Sequence, residues 1–164
     1  MSKDKIFIFD TTLRDGAQTE GVDFSLDDKN KIANVLSEIG VDYIEGGWPG
    51  ANPVDTKFFS SPPKTGKSTF TAFGMTKKLG RSAENDPGLA SLMNANSQAV
   101  CVVGKTWDFH VKVALGIKND ENLENIKETA NHFVKNNKEF LFDAEHFFDG
   151  YKANSEYALS CLKQ

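Results

Sequence analysis

The chain has 164 residues, a formal charge of −4 and no basic block, which argues against a nucleic-acid partner. Its length is enough for one domain with its own core, and its apolar and charged fractions are those of a soluble globular protein. No apolar run reaches signal or membrane length, so a cytoplasmic protein with no membrane partner is expected.

Ile6, Phe7, Ile8 and Phe9 predict a first buried strand over residues 5–9, after a short polar lead-in. Asp10-Thr-Thr-Leu-Arg-Asp-Gly-Ala-Gln18 follows and puts Asp10, Arg14, Asp15 and Gln18 on a strand end and its loop. Charges there are costly unless they are paired or bound to a ligand. Ser25-Leu-Asp-Asp28 opens the first helix like a capping box, and Ile32, Val35, Leu36 and Ile39 recur at helical spacing until Gly40 stops it. A second strand over 42–46 runs into Gly46-Gly-Trp-Pro-Gly50, and Asn52-Pro53 starts a second helix with proline at its first position. The polar stretch 60–68 is a loop before a third strand over 69–73. Asp86-Pro87 then repeats the helix-start signal ahead of Leu89, Leu92 and Met93. A fourth strand over 99–103 precedes Lys105, Trp107, Asp108 and His110. Asn119-Asp-Glu caps the longest helix, whose predicted buried stripe is Leu123, Ile126, Ala130, Phe133 and Val134. A fifth strand over 139–143 leads into Asp143-Ala-Glu-His-Phe-Phe-Asp149, and Asn154-Ser-Glu opens a last helical pattern.

Strict βα alternation implies a parallel sheet with right-handed crossovers in one domain over 1–164. Two architectures fit, an open doubly wound sheet and five units of an eight-unit barrel, and alternation alone does not choose. The first βα loop lacks a glycine-rich phosphate fingerprint, which disfavours a dinucleotide site. Cys101 and Cys161 sit inside apolar runs and read as small core residues, not as a disulfide or a zinc site.

Each candidate site has a bland counterpart. Arg14 and Asp15 form either a salt-bridged loop, or a cation ligand beside a guanidinium that stabilises oxyanion charge. Glu45 is either a surface glutamate in a tight turn or part of one mouth with Arg14. His110 is structural, or an acid, base or substrate contact after a strand end. The run 143–149 tempts towards a metal cluster, but no two imidazoles are close enough in sequence to form a local clamp. Glu145 is preferred as a carboxylate in a catalytic mouth, with His146 as its neighbour, and His132 as structural.

The stretch Asp10 to Gln18 resembles the signature of the Claisen-condensing acyltransferases and related lyases. These include isopropylmalate, homocitrate and citramalate synthases and hydroxymethylglutaryl-CoA lyase. Tyr43-Ile-Glu-Gly-Gly-Trp-Pro-Gly50, Gly104-Lys-Thr-Trp-Asp-Phe-His110 and Asp143-Ala-Glu-His-Phe-Phe-Asp-Gly-Tyr-Lys-Ala-Asn154 resemble the citramalate branch. The resemblance implies a TIM barrel, about five of whose eight βα units are present. It implies condensation of acetyl-CoA with pyruvate to (R)-citramalate and CoA, on a threonine-independent route to isoleucine. The alternatives are another 2-oxo acid, a retro-Claisen lyase, or a non-catalytic fragment that assembles with a partner chain. A divalent metal (Mg2+, Mn2+ or Zn2+), acetyl-CoA as co-substrate and a homodimer of the full-length enzyme are implied as well. Asp15 matches the metal ligand, and Arg14 the arginine that polarises the keto oxygen. Gln18 and Glu45 match residues around metal and substrate, Glu145 a glutamate that assists proton transfer, and His110 a mouth histidine. One departure stands out: the family's His-x-His pair has no match in His110, His132 or His146. The chain is therefore expected to be the N-terminal part of such an enzyme, inactive alone.

Overall fold

The computed structural model describes residues 5–164; the expected polar lead-in over residues 1–4 lies outside them. Apolar runs form strands and capped runs form helices in the expected order, with two short helices added over 108–110 and 147–153, where loops were expected. The elements are β1 (Phe9–Asp10), α1 (Leu26–Ile39), β2 (Tyr43–Gly47), α2 (Pro53–Ser60), β3 (Thr69–Met75), α3 (Pro87–Asn94) and β4 (Ala99–Lys105). There follow the single turn α4 (Asp108–His110), α5 (Asn119–Lys135), β5 (Glu139–Glu145), α6 (Phe147–Ala153) and α7 (Ser155–Leu162). One five-stranded sheet runs in the order β1-β2-β3-β4-β5, with β1–β2 and β2–β3 parallel. A doubly wound sheet reverses its order at a switch point. Here every strand lies beside its sequence neighbour, which selects the barrel-type arrangement.

Burial follows that order. Strands β2, β3 and β4 are almost wholly buried, whereas β1 and β5 at the two edges are half-buried at most. The first strand is accordingly shorter than expected. Ile6, Phe7 and Ile8 are 85%, 53% and 58% exposed, and only Phe9–Asp10 pairs. An edge strand has one ladder, so the apolar run lacks the second neighbour that would cover it.

The chain divides into two compact units. The first contains the residues up to Phe73 together with Asn94–Ala99. Its core is aromatic: the Phe58 and Phe59 rings of α2 lie 5.2 and 4.9 Å from Phe70 of β3. The expected capping box opens α1, with Ser25 and Asp28 bonding each other's backbone N–H, and Gly40 closes it at φ 87°. The fully buried face shares only Leu36 with the expected apolar stripe, however. Lys29, Ala33 and Leu36 point inward, while Val35 and Ile39 are exposed. Lys29 sets this face, because its ammonium finds three acceptors inside.

The second unit contains Gly74–Met93 and Val100–Gln164. Val111, Ile126, Tyr157 and Cys161 form its central cluster, with Ile117, Leu123 and Phe142 packed against it. The expected stripe of α5 is again only partly right. Asn122, Asn125 and Thr129 are buried beside Ile126 and Phe133, and Val134 is exposed. Asn122 and Thr129 satisfy backbone groups of neighbouring segments. Asn122 Nδ2 donates to Lys105 O and Tyr157 Oη at 2.8 Å, and Lys77 N donates to Thr129 Oγ1 at 3.0 Å. Both cysteines are buried and neither forms a disulfide. Among the described residues, no helix is long and apolar enough to cross a membrane.

Candidate active site

In the first unit, the loop after β1 is wound tightly. Thr11 O accepts from the backbone N–H groups of Arg14, Asp15 and Gly16 at 3.1, 2.8 and 3.2 Å. Leu13 is thereby driven into the core and Arg14 turned towards β2. Arg14 Nε donates to Glu45 Oε2 at 2.7 Å, and Nη1 donates to Asp15 Oδ1 at 3.1 Å. The guanidinium lies over the Phe73 ring, 3.9 Å from its centroid. A carboxylate on one side and an aromatic face on another hold the cation in one orientation. Glu45 is 0% exposed, so the surface-turn reading of it is set aside. A register shift between Glu45 and Gly47 re-aims the strand end at this point. Asp15 differs from its neighbours in that its side chain is 62% exposed. A cavity of about 400 Å³ opens beside the pair, lined by Leu13, Arg14, Gln18, Trp48, Asn52 and Asp55 among others.

In the second unit, Lys105 at the end of β4 pairs with Glu145 at the end of β5. Thr106 Oγ1 donates to the Glu145 carbonyl at 2.8 Å, which ties the two strand ends together. Helix α6 comes close above them because residue 150 is glycine; a Cβ there would stand 2.5 Å from Thr106 O. Asn154 Nδ2 donates to Asp108 Oδ2 at 2.9 Å and anchors the loop that carries His110. The His110 ring centroid lies 4.7 Å from Trp107 and 4.7 Å from His146. His146 has the left-handed backbone, φ 52°, that places it over this loop. The hydrogen bond between His146 Nδ1 and Asp149, at 3.0 Å, holds the Asp149 carboxyl below its usual range.

Arg14, Asp15 and Glu45 are thus brought together in one unit, with Gln18 on the same cavity. Glu145, His110 and His146 gather in the other. An exposed carboxylate such as Asp15 suits a hard divalent cation as one oxygen donor. Among the described residues, however, no group of three or more His, Cys, Asp or Glu is arranged to hold a metal. These residues therefore do not complete a metal site.

Sequence reading passes over Lys29 and Asp55, which lie buried beside the Arg14–Glu45 pair. The available signal was a lysine in line with Ala33 and Leu36, at i, i+4 and i+7 of one helix face. The Lys105–Glu145 pairing had no local signal, since its members are forty positions apart.

The HMGL-like family model matches residues 5–160. A protein named (R)-citramalate synthase from Aquifex aeolicus is 49% identical over 162 residues, covering 98% of this chain and 31% of that protein. Its namesake from Geobacter sulfurreducens is 47% identical over 158 residues, covering 95% and 30%. The chain therefore spans about 30% of the length of the curated relatives it matches. The crystal structure of hydroxymethylglutaryl-CoA lyase from Pseudomonas aeruginosa superposes with a TM-score of 0.64 at 19% identity, covering 84% of this chain and 45% of that one. That likeness shows the fold, a partial (β/α) barrel, in agreement with the sequential strand order. By the match that runs through both units, the chain belongs to the HMGL-like family.

Proposed function

We propose that the chain carries part of the active site of an acyltransferase that joins acetyl-CoA to pyruvate, giving (R)-citramalate and CoA. The observation that carries this reading is the Arg14–Glu45 clamp at the ends of β1 and β2. Relatives of this name at up to 49% identity support the choice of substrates.

In the reaction, the acetyl methyl loses a proton and its carbon adds to the keto carbon of pyruvate. The keto oxygen takes the negative charge and then a proton, and water cleaves the thioester to release CoA. Arg14 meets that charge. Glu45 and Asp15 take two of its N–H contacts, and the other donors are left for the oxyanion. The Phe73 ring shields one face of the guanidinium from water and fixes its plane. Gln18, on the same cavity, contacts the keto acid. Glu145 moves a proton at its carboxylate, beside the Lys105 ammonium, and His110 is a second proton-handling group. Asp15 would supply one oxygen towards a divalent cation, whose chemistry would be that of a Lewis acid; the remaining ligands are not among the described residues. The whole enzyme acts as a cytoplasmic homodimer on these small molecules.

Grafting residues 5–160 in place of the matching stretch of the Aquifex aeolicus protein tests the reading. The chimera should release free thiol from acetyl-CoA with pyruvate, and Arg14→Ala should lower kcat about 100- to 1,000-fold. A folded chimera that uses a different 2-oxo acid but not pyruvate overturns the substrate assignment. One that releases no thiol with any of them overturns the activity.

A further inference from the structure

We propose that Lys29 and Asp55 are positioning residues that hold the Arg14–Glu45 pair in register. The inference rests on the reading of Arg14 and Glu45 as substrate-facing groups. Lys29 is 3% exposed and Asp55 6%. A buried ion pair adds little net stability, because the loss of hydration offsets the attraction between the charges. This one is nonetheless fully bonded. Lys29 Nζ donates to Leu13 O at 2.9 Å, to Gly46 O at 2.9 Å and to Asp55 Oδ1. An ammonium has three protons, and here each has an acceptor.

The choice of acceptors carries the inference. Leu13 immediately precedes Arg14, and Gly46 immediately follows Glu45. One side chain therefore grips the backbone beside both members of the clamp and sets their spacing from below. Asp55 extends the grip to the loop after β2. Its Oδ2 accepts from Trp48 N at 2.9 Å and from Asn52 Nδ2 at 3.0 Å. Between these contacts lies Gly47 at φ 145°, where a Cβ would stand 2.5 Å from the Asp55 carboxylate. The strand end is packed directly onto the ion pair, so a displacement of either partner is felt at Glu45. Displacements of about 1 Å in a catalytic group cost rate even when the fold survives.

Nuclear magnetic resonance on the unsubstituted chain gives the first test, since no variant has to fold. The Lys29 ammonium protons should exchange slowly and show through-hydrogen-bond couplings to the carbonyl carbons of Leu13 and Gly46. A fast-exchanging, uncoupled ammonium overturns the proposal. In Lys29→Met, judged folded by far-ultraviolet circular dichroism, Arg14 Nε–H should exchange roughly tenfold faster and shift towards a solvated arginine. Asp55→Asn, whose amide oxygen still accepts from Lys29, should fall between the two. If Lys29 contributes stability alone, Tm drops while the Arg14 signal of the folded variant stays in place, and the proposal fails. No substrate enters these measurements. Their failure leaves the proposed reaction standing, and an inactive chimera overturns the substrate-facing reading of Arg14 and Glu45 without changing what these measurements report on Lys29.

Discussion

Cys161 is buried under Tyr157, and its Sγ lies 3.9 Å from Lys105 O. Burial pushes its thiol up to about 11 from an ordinary 9.0, with hydrogen bonds from Tyr157 and the backbone opposing. A folded value above the unfolded one gives stability that is complete below the unfolded value. That stability is lost as pH rises towards the folded value. The two-unit gap corresponds to about 3 kcal/mol, lost between pH 9 and 11. Urea melts across that range should show the fall, and Cys161→Ala should remove its onset at about pH 9–10 and leave the part above about pH 10 that Tyr157, also pushed up by burial, contributes. The same burial should make the folded chain unreactive to thiol reagents at neutral pH. Among single residues, those read from apolar context were legible: both cysteines are core residues, as their surroundings imply. Glu45 was legible through its place on a strand end. Lys29 was not, because a lysine among apolar positions reads as a solvated side chain until its acceptors are known, and these come from residues 13, 46 and 55.

Helix starts show which features local chemistry decides. Asp86 precedes Pro87, and its Oδ1 accepts from Gly88 N at 2.8 Å and Leu89 N at 3.1 Å. Its other oxygen accepts from Lys78 N at 3.0 Å, so the cap also ties down the chain leaving β3. Burial alone would raise this carboxyl, but the backbone donors of Lys78, Leu89 and Gly88 outweigh burial and hold it below its usual range. The contribution is therefore present above the unfolded carboxylate value and lost as pH falls through the lowered one. Asp86→Ala should cost about 1–2 kcal/mol at pH 7 by denaturant unfolding, and the difference should shrink in acid. Caps and strand centres were readable from sequence because they depend on neighbours within a few positions. The buried faces of α1 and α5 were not. Lys29, Asn122 and Thr129 point inward to meet backbone groups of other segments, and helical spacing of apolar residues carries no record of them. The shortness of β1 had no local signal for the same reason: its exposure follows from its place at the end of the sheet.

At the scale of the molecule, alternation left two architectures open, and strand order decided between them. Membership of the HMGL-like family agrees with the motif at Asp10 to Gln18, which was the most specific signal in the sequence. Metal binding belongs to this scale as well, since it needs ligands from several segments. With Asp15 proposed as one metal ligand and no three-ligand group among the described residues, the chain should bind Mn2+ only weakly. Calorimetric titration checks this. An assay with acetyl-CoA, pyruvate and Mn2+ should release no detectable thiol from the same preparation.

The buried ammonium on α1 also bears on uniqueness. An oily helix face can slide along a sheet by a fraction of a turn and lose little, because apolar contact has no direction. A charge with three fixed acceptors tolerates no such shift: one residue of slippage moves it about 1.5 Å along the axis and about 100° around it. Mis-docked versions of α1 would leave a cation stranded in the interior. Lys29 therefore works chiefly by penalising competing arrangements of the same chain, and much less by deepening the correct one.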